Sequence, residues 1–365
     1  ATSRVDEIVY HHLDNSQPMQ GDLVEFIRIA AARLADHFAS NNVCLVHAAS
    51  NYVNAMPAYI AARALNLPFS YEVRGLWEET TASKKPRWRS TQRFHFERAM
   101  ETHLIRNADL SFFITRQIQQ LFFSKGEIKK SFQGFGGQHT ALAPNCANLE
   151  DEALVSDAIY RTEVPNGMPI NLVYVGSLVP YEGLQLLIDA LSQDEALRKL
   201  YRVTIVGGGN FAGELERQVK RARLGRIVRF VGRVAPDQVA SYFENAHVVI
   251  VPRIPDRVCE LVSPLKPLEA MTFGRVCFAS DVEPISDLIT HRTTGFLFKA
   301  GKVESMIEEL HKMYDERERF PAIVEAARSY VREHRDWNKL AADMRRAFTF
   351  VLAQYRFGKE VSLRH

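Results

Sequence analysis

The chain has 365 residues, with 46 lysines and arginines against 43 aspartates and glutamates, a formal charge of +3. That near-balance argues against a nucleic-acid binder working through bulk charge and leaves room for a local basic cleft that takes a phosphorylated ligand. Apolar residues at 46% and charged residues at 24% argue against disorder and fibrous repeats, and the length, at about 100–200 residues per domain, predicts two domains with a cleft between them. In chain order, Val43 to Ala48 reads as a strand, Asn54 to Leu65 as a helix, Pro68 to Val73 as a strand, Arg93 to Arg106 as a helix and Asp109 to Thr115 as a strand. Such alternation predicts βαβ units and a parallel sheet. A glycine-rich stretch from Gln133 to His139, then a short apolar run and Pro144-Asn145, reads as a loop and the exit from a first domain, residues 1–150.

A more regular series follows. Strands are expected at Asn171 to Gly176, Arg202 to Val206, Val228 to Val231, His247 to Val251, Arg275 to Ala279 and Gly295 to Phe298. Helices are expected at Gly183 to Leu191, Phe211 to Arg223, Gln238 to Asn245, Pro264 to Thr272 and Pro284 to Thr290. Three helical segments close the chain: Val303 to Tyr314, Ala322 to Arg335 and Asn338 to Tyr355. The reading is an α/β protein with two doubly wound domains, the second spanning 151–337, followed by a last segment at 338–365.

Cys44, Cys146, Cys259 and Cys277 lie far apart without C-x-x-C or Cys/His spacing, which predicts reduced thiols, mostly in the core, in a cytoplasmic protein and no metal site among them. No apolar run approaches the ~20 residues of a membrane span, and no charged-then-apolar leader pattern opens the chain. Peripheral membrane contact stays open. The start at Ala1 rather than Met reads as a processed or excised chain.

The segment Glu260-Leu-Val-Ser-Pro-Leu-Lys-Pro-Leu-Glu269 is the sharpest. Ser263 suits an N-cap and Pro264 a first helical position, so a helix start is expected at the carboxyl edge of the sheet, where backbone N–H groups favour phosphate. Lys266 and Glu269 share a helix face, one suited to phosphate oxygens and the other to sugar hydroxyls; a plain surface ion pair fits the same spacing. Gly207-Gly208-Gly209 and Gly176-Ser177 are small-residue turns at that edge, though plain strand-to-helix turns have the same composition. In the first half, His47 and Arg74 with Glu78 and Glu79 are expected to converge on the cleft, the alternatives being an edge histidine and a structural ion pair. The run Lys84-Lys85-Pro86-Arg87-Trp88-Arg89 reads as a solvated basic loop, or as a contact for anionic acceptors or lipid headgroups.

Taken together, YVGSL-x-x-YEGL, VGGG, RFVGRV, PLKPLEAM and TGFLF, in that order, resemble the donor-binding half of the retaining GT-B glycosyltransferases of family 4 over about residues 168–300. The first half (VHAASNYVNAMPAYIAAR, YEVRGLWEE, APNCAN) resembles the acceptor half more loosely. The resemblance implies two Rossmann-like domains facing a cleft, a last helix crossing back to the first domain, and transfer of a sugar from a nucleoside-diphosphate-sugar to a hydroxyl acceptor in a cell-surface polysaccharide or glycolipid. It implies no further cofactor; with no Asp-x-Asp motif in the chain, no essential metal is expected.

Carried over residue by residue, the family's second motif glutamate falls on Glu269, implying a bond to the nucleotide ribose. The first falls on Leu261, beside Glu260, and the usual Arg and Lys of the diphosphate site fall on Ser177 and Glu182. Arg253, Arg257 and Lys266 are therefore the expected replacement cations. The backbone around Gly232-Arg233 is expected at the nucleobase, and that of Ser263 and Leu265 at the phosphates. The acceptor-side histidine falls at Arg74, and the family's usual first strand and glycine-rich loop have no counterpart here. A catalytically degenerate scaffold of the same fold is the alternative; a dehydrogenase lacks its dinucleotide fingerprint.

Overall fold

The structure, a computed structural model, describes residues 2–5, 8–12, 22–130, 139–147 and 162–362. Twelve strands lie among them: β1 (Thr2–Val5), β2 (Ile8–His11), β3 (Val46–Ala49), β4 (Phe69–Val73), β5 (Leu110–Phe113), β6 (His139–Leu142), β7 (Ile170–Val175), β8 (Tyr201–Val206), β9 (Val228–Gly232), β10 (Val248–Val251), β11 (Val276–Ser280) and β12 (Phe296–Phe298). β1 and β2 form a separate antiparallel pair. β3-β4-β5-β6 form a parallel sheet of four strands, and β12-β11-β10-β7-β8-β9 a parallel sheet of six.

Both sheets are covered by helices on two faces, which is why central strands such as β10 are continuous apolar runs rather than alternating ones. β10 reads VVIV with every residue buried. Val248 and Ile250 enter the core on one side, with Leu172, Tyr174 and Phe278. Val249 and Val251 enter the core on the other, with Val173, Met271 and Ala279. In the second sheet the chain leaves β7 toward β8 on one side and returns to β10 on the other, so a crevice opens at the carboxyl ends of these central strands.

The helix Trp337–Ser362 runs back onto the first sheet, where Leu340 and Val351 pack with Leu110, Phe112, Ala143 and Cys146. Three of the four cysteines are buried and all four are unbridged; Cys44 is exposed.

Several expected elements differ in detail. The first expected strand begins at Val46 rather than Val43. The short apolar run before Pro144 is β6, paired with β5 from Leu110↔His139 onward. The glycine-rich stretch up to position 138 and the boundary expected near 150 lie outside the described residues. The expected Pro284–Thr290 helix is the single turn Glu283–Ser286. Ser263 is not an N-cap: the helix is Lys266–Thr272, with Leu265 at the cap and no side-chain bond there. Pro267 holds the early helical position in which a missing N–H costs nothing, and the Ser263 carbonyl instead accepts a bond from Asn145 Nδ2 at 3.0 Å.

Candidate functional site

Three turns are fastened together at the carboxyl ends of β7, β8 and β9. Gly176 N–H donates to the Val206 carbonyl at 2.9 Å, Gly207 N–H to the Gly232 carbonyl at 2.8 Å, and Leu178 N–H to the Gly208 carbonyl at 3.1 Å. Gly207 has φ +135°, and a Cβ there would lie 1.8 Å from the Gly176 carbonyl oxygen, so only glycine permits this approach. Gly176 has φ +148°, and a Cβ on it would meet Lys266 Cε at 2.7 Å and Nζ at 3.1 Å. The lysine therefore lies along the glycine's bare face. Arg233 covers Gly208 in the same manner, its Nε 2.9 Å from where a Cβ would stand.

Beneath Lys266 is a buried charge cluster. Glu182, on the turn Pro180–Glu182, accepts from Arg253 Nη2 on Oε1 at 3.0 Å and from Lys266 Nζ on Oε2 at 3.1 Å. Arg253 Nη1 donates to the Val262 carbonyl at 3.0 Å, and its Nε is buried without a partner. The Lys266 ammonium also lies 5.2 Å from the centre of the Tyr174 ring, whose hydroxyl donates to the Ser177 carbonyl at 2.8 Å.

Desolvation alone would raise the Glu182 carboxyl, but Arg253 and Lys266 outweigh it and hold the group below the ordinary carboxylate range. Desolvation lowers Lys266, partly countered by Glu182. Glu269 is open to solvent on the same helix, yet enough protein surrounds it that desolvation raises its carboxyl against the pull of Lys266.

The structure thus brings together Gly176, Ser177, Gly207, Gly208, Gly232, Arg233, Lys266 and Glu269 at one edge, and separates the other expected cations. Arg253 is not an open cleft residue; it is buried on Glu182, because a carboxylate at 182 draws its guanidinium inward. Arg257 is exposed, 3.4 Å from Glu260, and lines a different space, a cleft of about 720 Å³ between the halves with Gln117, Gln120, Asp281 and Lys299. Leu265 is exposed beside Lys266. Leu261, 3% exposed, packs into the core of the first half, and its carbonyl accepts from Thr115 Oγ1 at 2.6 Å.

The convergence expected in the first half takes another form. His47 lies within β3, with Nδ1 3.2 Å from Ser70 Oγ, Nε2 3.3 Å from Glu72 Oε2, and its ring 5.3 Å from that of Phe348 on the last helix. Arg74 Nη2 donates to the same Glu72 oxygen at 3.0 Å. Glu78 and Glu79 do not meet Arg74: Arg98 binds both, and Arg89 binds Glu79 at 2.8 Å. Reading the residues in order missed Glu72 and Glu182 as organising anions. Among the described residues no group of three or more His, Cys, Asp or Glu stands close enough to hold a metal ion.

Residues 156–330 match the family described as Glycosyl transferases group 1. The lipopolysaccharide 1,2-N-acetylglucosaminetransferase of Salmonella typhimurium is 27% identical over 179 residues, 47% of this chain and 45% of that protein. The sulfoquinovosyl transferase SQD2 of Arabidopsis thaliana is 26% identical over 191 residues, 51% of this chain and 34% of that protein. These matches span less than half of each relative's length. Among solved structures, sucrose-phosphate synthase from Thermosynechococcus elongatus superposes with a TM-score of 0.70 at 19% identity, over 93% of this chain and 82% of that one. Anabaena HepE in complex with UDP-glucose gives 0.64 at 18% identity, over 87% and 81%. The likeness establishes the GT-B fold.

Proposed function

We propose that the chain, whose residues 156–330 match the glycosyl transferases group 1 family, is a retaining glycosyltransferase that moves a sugar from a nucleoside-diphosphate-sugar to a hydroxyl acceptor. In this reading residues 1–150 form the acceptor side, 151–337 the donor side, and 338–365 the return helix. The observation that carries the reading is the Lys266 ammonium lying on Gly176 at the carboxyl end of β7, where strand order reverses. A lysine ammonium has three donors. One goes to Glu182, and the others suit the oxygens of a departing diphosphate, whose growing charge they would stabilise.

Glu269 is the candidate ribose acceptor, and Gly232 and Arg233 border the space for the base. The turns at Gly176, Gly207 and Gly208, with Lys266 and Arg233 lying on them, border the space for the phosphates, together with the backbone near Ser263 and Leu265. Closure of the two halves would exclude water that otherwise hydrolyses the donor. UDP is the first nucleotide to test, because solved neighbours hold UDP or UDP-glucose. Relatives named for lipopolysaccharide and amylovoran synthesis favour a cell-surface polysaccharide or glycolipid acceptor. No helix among the described residues is long and apolar enough to cross a membrane. Lys84, Lys85 and Arg87 are exposed, as is Trp77 at the start of the helix that ends at Lys84, and they favour contact with the inner membrane face; co-sedimentation with anionic vesicles tests it.

Calorimetric titration with UDP, GDP, ADP and CMP without metal tests the donor site. One nucleotide should bind, and bind more weakly to Glu269→Ala. A second reading, a degenerate module used as a scaffold, draws on Leu261 standing in an apolar core and on Arg253 being turned away from the edge. Binding by none of the four nucleotides would decide for it.

A further inference from the structure

Glu182 puts a buried negative charge beside the space proposed for a diphosphate, an arrangement that would repel the donor if the carboxylate stood alone. It does not: each carboxylate oxygen is committed to a different cation, so one negative and two positive charges leave the cluster with a surplus of one positive charge. The two cations differ in reach. Arg253 is buried and fixed at both ends, to Glu182 and to the Val262 carbonyl. Lys266 spends one of its three donors on Glu182 and lies over Gly176.

We propose that Glu182 is a positioning residue which, with Arg253 as its buried counterion, holds the Lys266 ammonium over Gly176, so that only Lys266 of this pair reaches the donor. The ligand in this statement rests on the glycosyltransferase reading; the pairing itself does not. A lysine on its flexible four-carbon stem would otherwise lose rotamer freedom on meeting each substrate, and a fixed carboxylate removes that cost beforehand. Glu182 also keeps the amine charged against desolvation. The charged and titratable groups around it are Arg253 on the loop after β10, Tyr174 on β7, Glu269 on its own helix, and Tyr181 and Cys259 next to Arg253. Of these, Glu182 supplies the largest attraction and Arg253 an opposing repulsion.

The test labels lysine side chains with carbon-13 and follows the titration of Lys266, assigned with Lys266→Arg, in the full chain without nucleotide. Glu182→Gln leaves Arg253 as an unpaired buried cation and invites misfolding, so Glu182→Gln/Arg253→Met is made alongside it and removes both charges. Lys266 should titrate about one pH unit or more lower in either variant, further in the single than in the double. Glu182→Asp should restore most of the shift. UDP affinity of the double variant should fall about tenfold near pH 8 and decline at a lower pH than that of the unmodified chain. Unchanged Lys266 titration in the folded double variant overturns the proposal, as does a loss of affinity that is the same at every pH. If the unmodified chain binds no nucleotide, the donor reading fails, and the lysine titration still decides the pairing.

Discussion

Two glutamates, one in each half, are buried alike and behave oppositely. Glu182 is 3% exposed and Glu101, on the helix Gln92–Asn107, is 2% exposed. Glu182 faces two cations and is held below the ordinary carboxylate range. Glu101 accepts from Tyr52 N–H at 2.7 Å and from the Tyr71 hydroxyl at 2.6 Å, both neutral donors, and desolvation pushes it up to about 7. Burial therefore does not decide whether a carboxylate stays charged; the charge of its partners does. Glu182 stands at the sheet edge that carries the proposed donor site, while Glu101 uses a near-neutral carboxyl to tie the helix Tyr52–Ala64 to β4.

The comparison breaks most severely if Arg253 is removed. Arg253→Met leaves Glu182 with Lys266 alone, and should cost about 3 kcal/mol of stability at pH 7, read from urea unfolding. A loss below about 1 kcal/mol would mean that Lys266 alone satisfies the carboxylate. Lys266→Ala should preserve the fold and weaken UDP binding by about 30-fold, roughly 2 kcal/mol, because it removes a charge-assisted contact from the ligand side. Equal affinity by calorimetry would place the diphosphate elsewhere.

On the Glu101 side the sign reverses. Its folded pKa, about 7, lies above the unfolded value, so the native state binds more protons than the unfolded state between about pH 4.5 and 7, and stability falls as pH rises through that window. Glu101→Gln should flatten that fall by on the order of 2 kcal/mol, seen as a smaller drop in stability between pH 5 and pH 8. A variant with the slope of the unmodified chain would show that another group carries it. Smallest of all, Arg74→Ala removes a side chain that is 64% exposed, and should change stability by less than about 0.5 kcal/mol. A larger effect would make the Glu72 cluster a structural centre in its own right.

The two parallel sheets were legible because strands covered on both faces become short apolar runs between turn residues, as in NLVYVG and HVVIV. β6 escaped because HTAL is half polar: His139 and Thr140 are buried through bonds to Gln354 and Gln119 that only the folded chain provides. At the site, Lys266 and the glycine turns were legible from spacing. The role of Glu182 was not. Its partners lie 71 and 84 positions away, so in sequence it is a carboxylate standing where resemblance leads one to expect a cation. The same absence of distance information placed Arg253 in the open and sent Arg74 toward Glu78 and Glu79 instead of Glu72.

Leu261 has a mechanical consequence. It belongs to the short helix Arg257–Leu261, built on the second sheet, yet its side chain is seated in the first half's core. Pulling the halves apart would return that side chain to water at about 2 kcal/mol and break the bonds from Thr115 to Leu261 and from Asn145 to Ser263. The helix thus works as a detent between the two halves, and trimming Leu261 to alanine should lower the cost of separating them.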